Sequence, residues 1–167
     1  MPDRKTIAKA AQDKKQGKSP STQAGEFVKE EIEHIRQGKH GARSAKQAIA
    51  IGLSKARRAG VDLPPPKEGK TSAETRRKAK RDYEKGKSAD GSVSRKRSHA
   101  TEEALKREPH SAASPMALSR QAHAAARKRS AASRSAAAHK AAETKGAAGR
   151  SAAARKAART RAAHGRG

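Results

Sequence analysis

No apolar side chain larger than alanine occurs after Leu118, so the last 49 residues have almost nothing to bury. In all 167 residues only sixteen side chains are Met, Ile, Leu, Val, Phe or Tyr, and eleven of them fall within residues 1–63. Burying one such side chain fully is worth about 1.5–3 kcal/mol, whereas ordering each residue costs roughly 1–2 kcal/mol of backbone entropy. Sixteen cannot offset that cost along the whole chain. The expected fold class is mainly α with extensive disorder, a small N-terminal helical hairpin and no large globular core. An enzyme built around a closed pocket is not expected.

Charge supplies the second constraint. The chain carries 41 Lys and Arg against 16 Asp and Glu, a formal charge of +25. Such an excess favours a polyanionic partner, nucleic acid before an anionic lipid surface. No run of about 18 apolar residues is present to span a membrane, and no basic helix carries a bulky apolar opposite face. The N-terminus lacks the apolar stretch of a secretory signal, so a cytoplasmic location is expected. With no cysteine, there is neither a disulfide framework nor a thiolate metal site.

Composition divides the chain into four stretches: a flexible N-terminal segment (1–24), a two-helix hairpin module (25–63), a Pro-rich and basic linker with a short charged helix (64–109), and an Ala/Arg/Lys-rich nucleic-acid-binding tail (110–167). The tail holds 13 basic residues and one acid, Glu143. Nearly half of the net charge therefore lies where no core can form.

In the hairpin, Val28, Ile32 and Ile35 recur at helical spacing within a helix over 25–36, and Gly38 supplies a stop. A second helix follows Ser44 as N-cap and runs through residues 45–58, with Ala45, Ile49, Leu53 and Ala56 on one face and Gly60 after it. Packing between the two is assigned to Phe27, Val28, Ile32, Ile35, Ile49 and Leu53. A pair of about 35 residues is marginal alone, so self-association or nucleic acid is expected to complete it.

Pro64-Pro65-Pro66 reads as a stiff spacer. Thr71 and Glu74 have the spacing of a capping box for a helix reaching Lys85, and residues 86–98 read as a flexible linker. Ser114-Pro115 opens a further helix toward Arg129 as N-cap and first-turn proline. Helices beyond residue 100 are expected as a propensity, marginal in water without packing.

The tail contains a repeat. Residues 134–149 (RSAAAHKAAETKGAAG) match residues 150–165 (RSAAARKAARTRAAHG) at 11 of 16 positions. Its cations recur every five or six residues, about one and a half turns of a helix. Successive cations would then point to nearly opposite sides, which suits bridging of two phosphate backbones; a disordered tail coating one duplex is the alternative. Expected DNA contacts are Arg120, Arg127, Lys128, Arg129, Arg134, Lys140, Lys145, Arg150, Arg155, Lys156, Arg159, Arg161 and Arg166. Additional contacts are expected from Lys39, Arg43, Lys46, Lys55, Arg57 and Arg58. With only Phe27 and Tyr83 as aromatics, there is no base-stacking platform.

No catalytic motif is present, and no cofactor is expected. Glu30 and His34 share a helix face at i, i+4 with His40 six residues on. No second ligand pair has metal-site spacing, so this reads as a solvated face, with no metal expected. The basic runs Arg76–Arg81 and Arg95–Arg97 have the composition of nuclear-import signals, as expected by chance in so basic a chain.

Residues 19–69, above all SAKQAIAIGLSKARRAG (44–60), resemble a bacterial family of small basic proteins, a domain of unknown function whose members are often labelled DNA-binding. The repeats and ALSRQAHAAARKR also resemble longer members, and the tail is similar to the Ala/Lys/Arg tails of linker histones and bacterial histone-like proteins. The resemblance implies no catalytic residues. The expected function is non-sequence-specific binding of duplex DNA in the nucleoid, with an RNA- or ribosome-associated role and a disordered stress protectant as alternatives.

Overall fold

The computed structural model describes residues 2–88 and 94–164. Among them the chain forms α1 (Arg4–Lys15), α2 (Pro20–Arg36), α3 (Ala45–Arg58), α4 (Ala73–Lys87), α5 (Arg95–Lys106), a 3-10 turn (His110–Ala113), α6 (Pro115–Arg127) and α7 (Ala131–His164). Contacts divide the chain after Gln121 into two units.

Extensive disorder is thus overturned, and the physical reason lies in the alanines. Thirteen apolar residues are buried among those described, and nine of them are alanine. An alanine seam lets helix backbones approach closely and loses no side-chain entropy on burial, so a core forms that a count of bulky side chains does not register. It consists of two clusters in the first unit. One joins Ile32, Ile35, Ala42, Ala48, Ala112 and Ala113, with Val28 and Leu118 against it. The other joins Ala10, Ala24, Phe27, Ala56 and Val61, with Leu53 and Leu63 against it.

The hairpin is present, with α3 at the expected residues, but its seam differs from the expected one. Along α3 the buried positions are Ala45, Ala48, Gly52, Ala56 and Arg57, while Ile49 and Leu53 are only half-buried. Gly52 explains the choice. A Cβ there would lie 2.6 Å from the Val28 Cα, so the two backbones touch at a point where only glycine fits. Across the seam α2 contributes Phe27, Ile32 and Ile35 from the expected set, with Val28 half-buried.

Nor does the hairpin stand alone. In the stretch 1–24, expected to be flexible, the described residues form α1 and the start of α2, and α1 packs on α2 through Ala10. Helix α2 begins earlier than the apolar periodicity indicates because Ser19 caps it, accepting from the Thr22 N–H, with Pro20 in the first turn. The buried Asp13 accepts from Lys18 Nζ at 2.7 Å, closing the α1–α2 turn.

The stretch 64–109, expected to be a linker, also docks. Helix α4 starts two residues later than expected, capped by Ser72 on Thr75 rather than by Thr71. It packs on α3 where Asp82 accepts from Ser54 Oγ at 2.6 Å and from Arg58 Nε at 2.8 Å. A Cβ on Gly86 would lie 1.9 Å from the Arg57 carbonyl oxygen, another contact of bare backbone. After α5 the chain returns to the α2–α3 loop: the Gly41 N–H donates to Leu105 O and the Ala42 N–H to Pro109 O. The 3-10 turn then buries Ala112 and Ala113 beside Ile32 and Ile35, and Arg36 Nε donates to Ala113 O at 2.9 Å. Of the expected flexible linker 86–98, residues 89–93 lie outside the described residues, while the rest borders or lies in α4 and α5.

Candidate nucleic-acid interface

Helix α6 opens as expected, with the Ser114 hydroxyl accepting from the Ala117 N–H at 3.2 Å. Ser130 begins α7 in the same way, accepting from the Ser133 N–H. Arg120 and Arg127 lie on α6, Lys128 and Arg129 between the helices, and the expected contacts from Arg134 through Arg161 on α7, all exposed. Arg166 lies outside the described residues.

Helix α7 is broken at Gly146, whose φ of +63° and ψ of 174° leave the helical region. That φ is readily available only to glycine. Gly146 is one of the five positions at which the two repeat copies differ; the second copy has Ala162 there and stays helical to His164. Arg150 reaches back over the break and donates to Ala142 O at 2.7 Å, satisfying a carbonyl of the turn before it. The register of cations therefore does not run through the tail as one helix. A glycine at only one of two equivalent positions is the signal that marks the break in the sequence.

Within the second copy, at about 100° per residue, Arg150 and Arg161 fall on one side and Arg155, Lys156 and Arg159 on the other. In the first copy Arg134 and Lys145 share a side, but opposite them stands Lys140 with His139 and the acid Glu143, where the second copy has Arg155 and Arg159. Residues 147–164 are thus the more strongly two-faced cationic segment. Among the described residues no cation from Arg120 onward forms an ion pair, whereas the acids of the first unit are heavily used: Lys9–Glu26, Lys18–Asp13, Lys55–Glu31, Arg58–Asp82 and Arg76–Glu68.

The six further cations assigned to the hairpin separate sharply. Lys39 and Lys46 are exposed on the α2–α3 loop and the first turn of α3. Arg43 pairs with Glu108 at 3.5 Å. The other three hold the fold together: Lys55 Nζ meets Glu31 at 2.5 Å, Arg58 meets Asp82, and Arg57, 8% exposed, donates to Leu63 O at 3.1 Å. Burial pushes the Arg57 guanidinium below its ordinary value, against the opposing charge of Asp82. Glu30 and His34, expected on a solvated face, are buried and half-buried.

Residues 3–68 match a family of unknown function (DUF6496). The matched stretch holds α1, α2 and α3 and overlaps the resemblance read from residues 19–69; it ends before α4 and the cationic tail. No curated protein and no solved structure matches the chain. No helix among the described residues is long and apolar enough to cross a membrane.

Proposed function

We propose that this chain is a non-sequence-specific DNA-binding protein of the nucleoid, which coats or bridges duplexes through α7. The observation that carries this reading is the set of exposed, unpaired cations on opposite sides of residues 147–164. Each side can neutralise a different phosphate backbone, and the alanines between them offer nothing to read base edges with. Phosphate contacts of this kind give affinity and position without sequence information.

The test is a salt titration of the full chain against unrelated duplex sequences. If about ten cations engage phosphates, log K falls with log salt at a slope near −9, with equal affinity across sequences. A flat response removes the proposal. Competition by structured RNA at lower concentration than duplex DNA would transfer the same surface to an RNA partner.

A further inference from the structure

Five titratable side chains meet where the N-terminal arm, α2 and the α2–α3 loop converge: Asp3, Glu30, Glu31, His34 and His40. Two of them pose an electrostatic problem. Glu31 is fully buried and Glu30 is 6% exposed. Lys55 serves Glu31 Oε2, and the Asp3 N–H donates to Glu30 Oε1 at 3.2 Å. Among the described residues, nothing donates to the buried Glu31 Oε1 and Glu30 Oε2. An unsatisfied buried carboxylate oxygen costs the full desolvation of that group.

Two imidazoles lie beside these carboxylates. His40 Nε2 lies 3.5 Å from Glu31 Oε1. His40 Nδ1 lies 3.2 Å from the Gly41 carbonyl oxygen, which leaves Nε2 as the ring nitrogen that faces the carboxylate. His34 Nε2 stands 3.5 Å from Asp3 Oδ2 and 3.9 Å from Glu30 Oε1, too far for good hydrogen bonds. One ligand atom each from Glu31, His34 and His40 lie within 4.8 Å of one another, as do those of Asp3, Glu30 and His34. Imidazole nitrogens and carboxylate oxygens converging at this spacing can share one cation. Ligand atoms about 2.0–2.2 Å from a tetrahedral zinc stand roughly 3.3 Å apart, close to the Glu31–His40 separation.

We propose that Glu31, His34 and His40 bind one divalent transition-metal ion of the zinc class, with Asp3 and Glu30 supplying carboxylates beside it. Two imidazoles and a carboxylate select such an ion over magnesium or calcium, which prefer all-oxygen sites. The charges agree: three carboxylates against the Lys55 ammonium leave two negative charges. Gly41 O would hold the His40 ring through Nδ1, as backbone carbonyls commonly do for ligating histidines. The ion would fasten the N-terminal arm and the α2–α3 loop to the middle of α2, a structural role independent of the cationic tail.

The test uses the full chain stripped with a chelator, titrated calorimetrically with Zn2+ and spectroscopically with Co2+. One ion per chain is expected, with a raised melting temperature and no comparable effect of Mg2+. His34→Gln and His40→Gln should each weaken binding at least tenfold, while His123→Gln and His139→Gln should not. X-ray absorption of the zinc-loaded wild-type chain should report two imidazole ligands, whatever the variants do to folding. Absence of saturable binding, binding unchanged in His34→Gln and His40→Gln, or fewer than two imidazoles at the metal would each overturn the proposal.

Discussion

Lys55 Nζ lies 2.5 Å from Glu31 Oε2, joining α3 to a carboxylate that no solvent reaches. The lysine is itself mostly buried, with 24% of its side chain exposed. Screening at such a site is weak, and the carboxylate depends on this one ammonium for charge compensation on that oxygen.

Lys55→Met should therefore destabilise the chain by about 3 kcal/mol, because it strands a buried charge. Glu31→Leu combined with Lys55→Met should recover most of that loss, since an apolar pair of similar volume carries no desolvation penalty. Denaturant unfolding in the presence of chelator measures both. A double variant no more stable than Lys55→Met would show that the pair contributes more than charge compensation.

Two glycines in adjacent helices should respond to alanine with opposite signs. A Cβ on Gly52 would meet Val28 Cα at 2.6 Å, whereas one on Gly25 meets nothing within 4 Å. Alanine gains about 1 kcal/mol of helix propensity at either site, and overpacking at Gly52 costs about 1–3 kcal/mol. Thermal melts should place Gly25→Ala above wild type and Gly52→Ala below it.

Bridging and coating separate by face. Replacing Arg155, Lys156 and Arg159 with Gln removes one cationic side of residues 147–164 and leaves Arg150 and Arg161. Binding to a single duplex should persist through Arg150, Arg161 and the remaining tail cations, while bundling, read by light scattering, is lost. Bundling that survives would place the second contact elsewhere on the chain.

Gly146→Ala should join the two halves of α7. Alanine at φ +63° is strained, whereas the helical conformation costs it least of all residues. The variant should show stronger helical circular dichroism at 222 nm. An unchanged spectrum would mean that the break does not depend on the residue at 146.

What could be read along the chain was whatever depends on near neighbours. The bounds of α3 follow from Ser44 and Gly60, the start of α6 from Ser114 and Pro115, and the excess charge of the tail from its single acid. Helix α1 is not legible in the sequence because its buried residues are Ala10 and Asp13, while its one bulky side chain, Ile7, is 42% exposed. The roles of the α3 cations are hidden for a different reason: Arg58 is engaged by Asp82, 24 residues away, and nothing near Arg58 in the sequence announces it.

The sequence alone therefore determined the helical character of the chain and the gradient of charge toward its C-terminus, because propensity and formal charge are local properties. Tertiary structure decided which alanines form a core, which cations remain exposed and unpaired, and that Glu30, Glu31, His34 and His40 face one another. An alanine or a glutamate acquires those meanings only from what packs against it: a close backbone such as Gly52 on Val28, or a desolvated oxygen such as Glu31 Oε1 beside a histidine nitrogen.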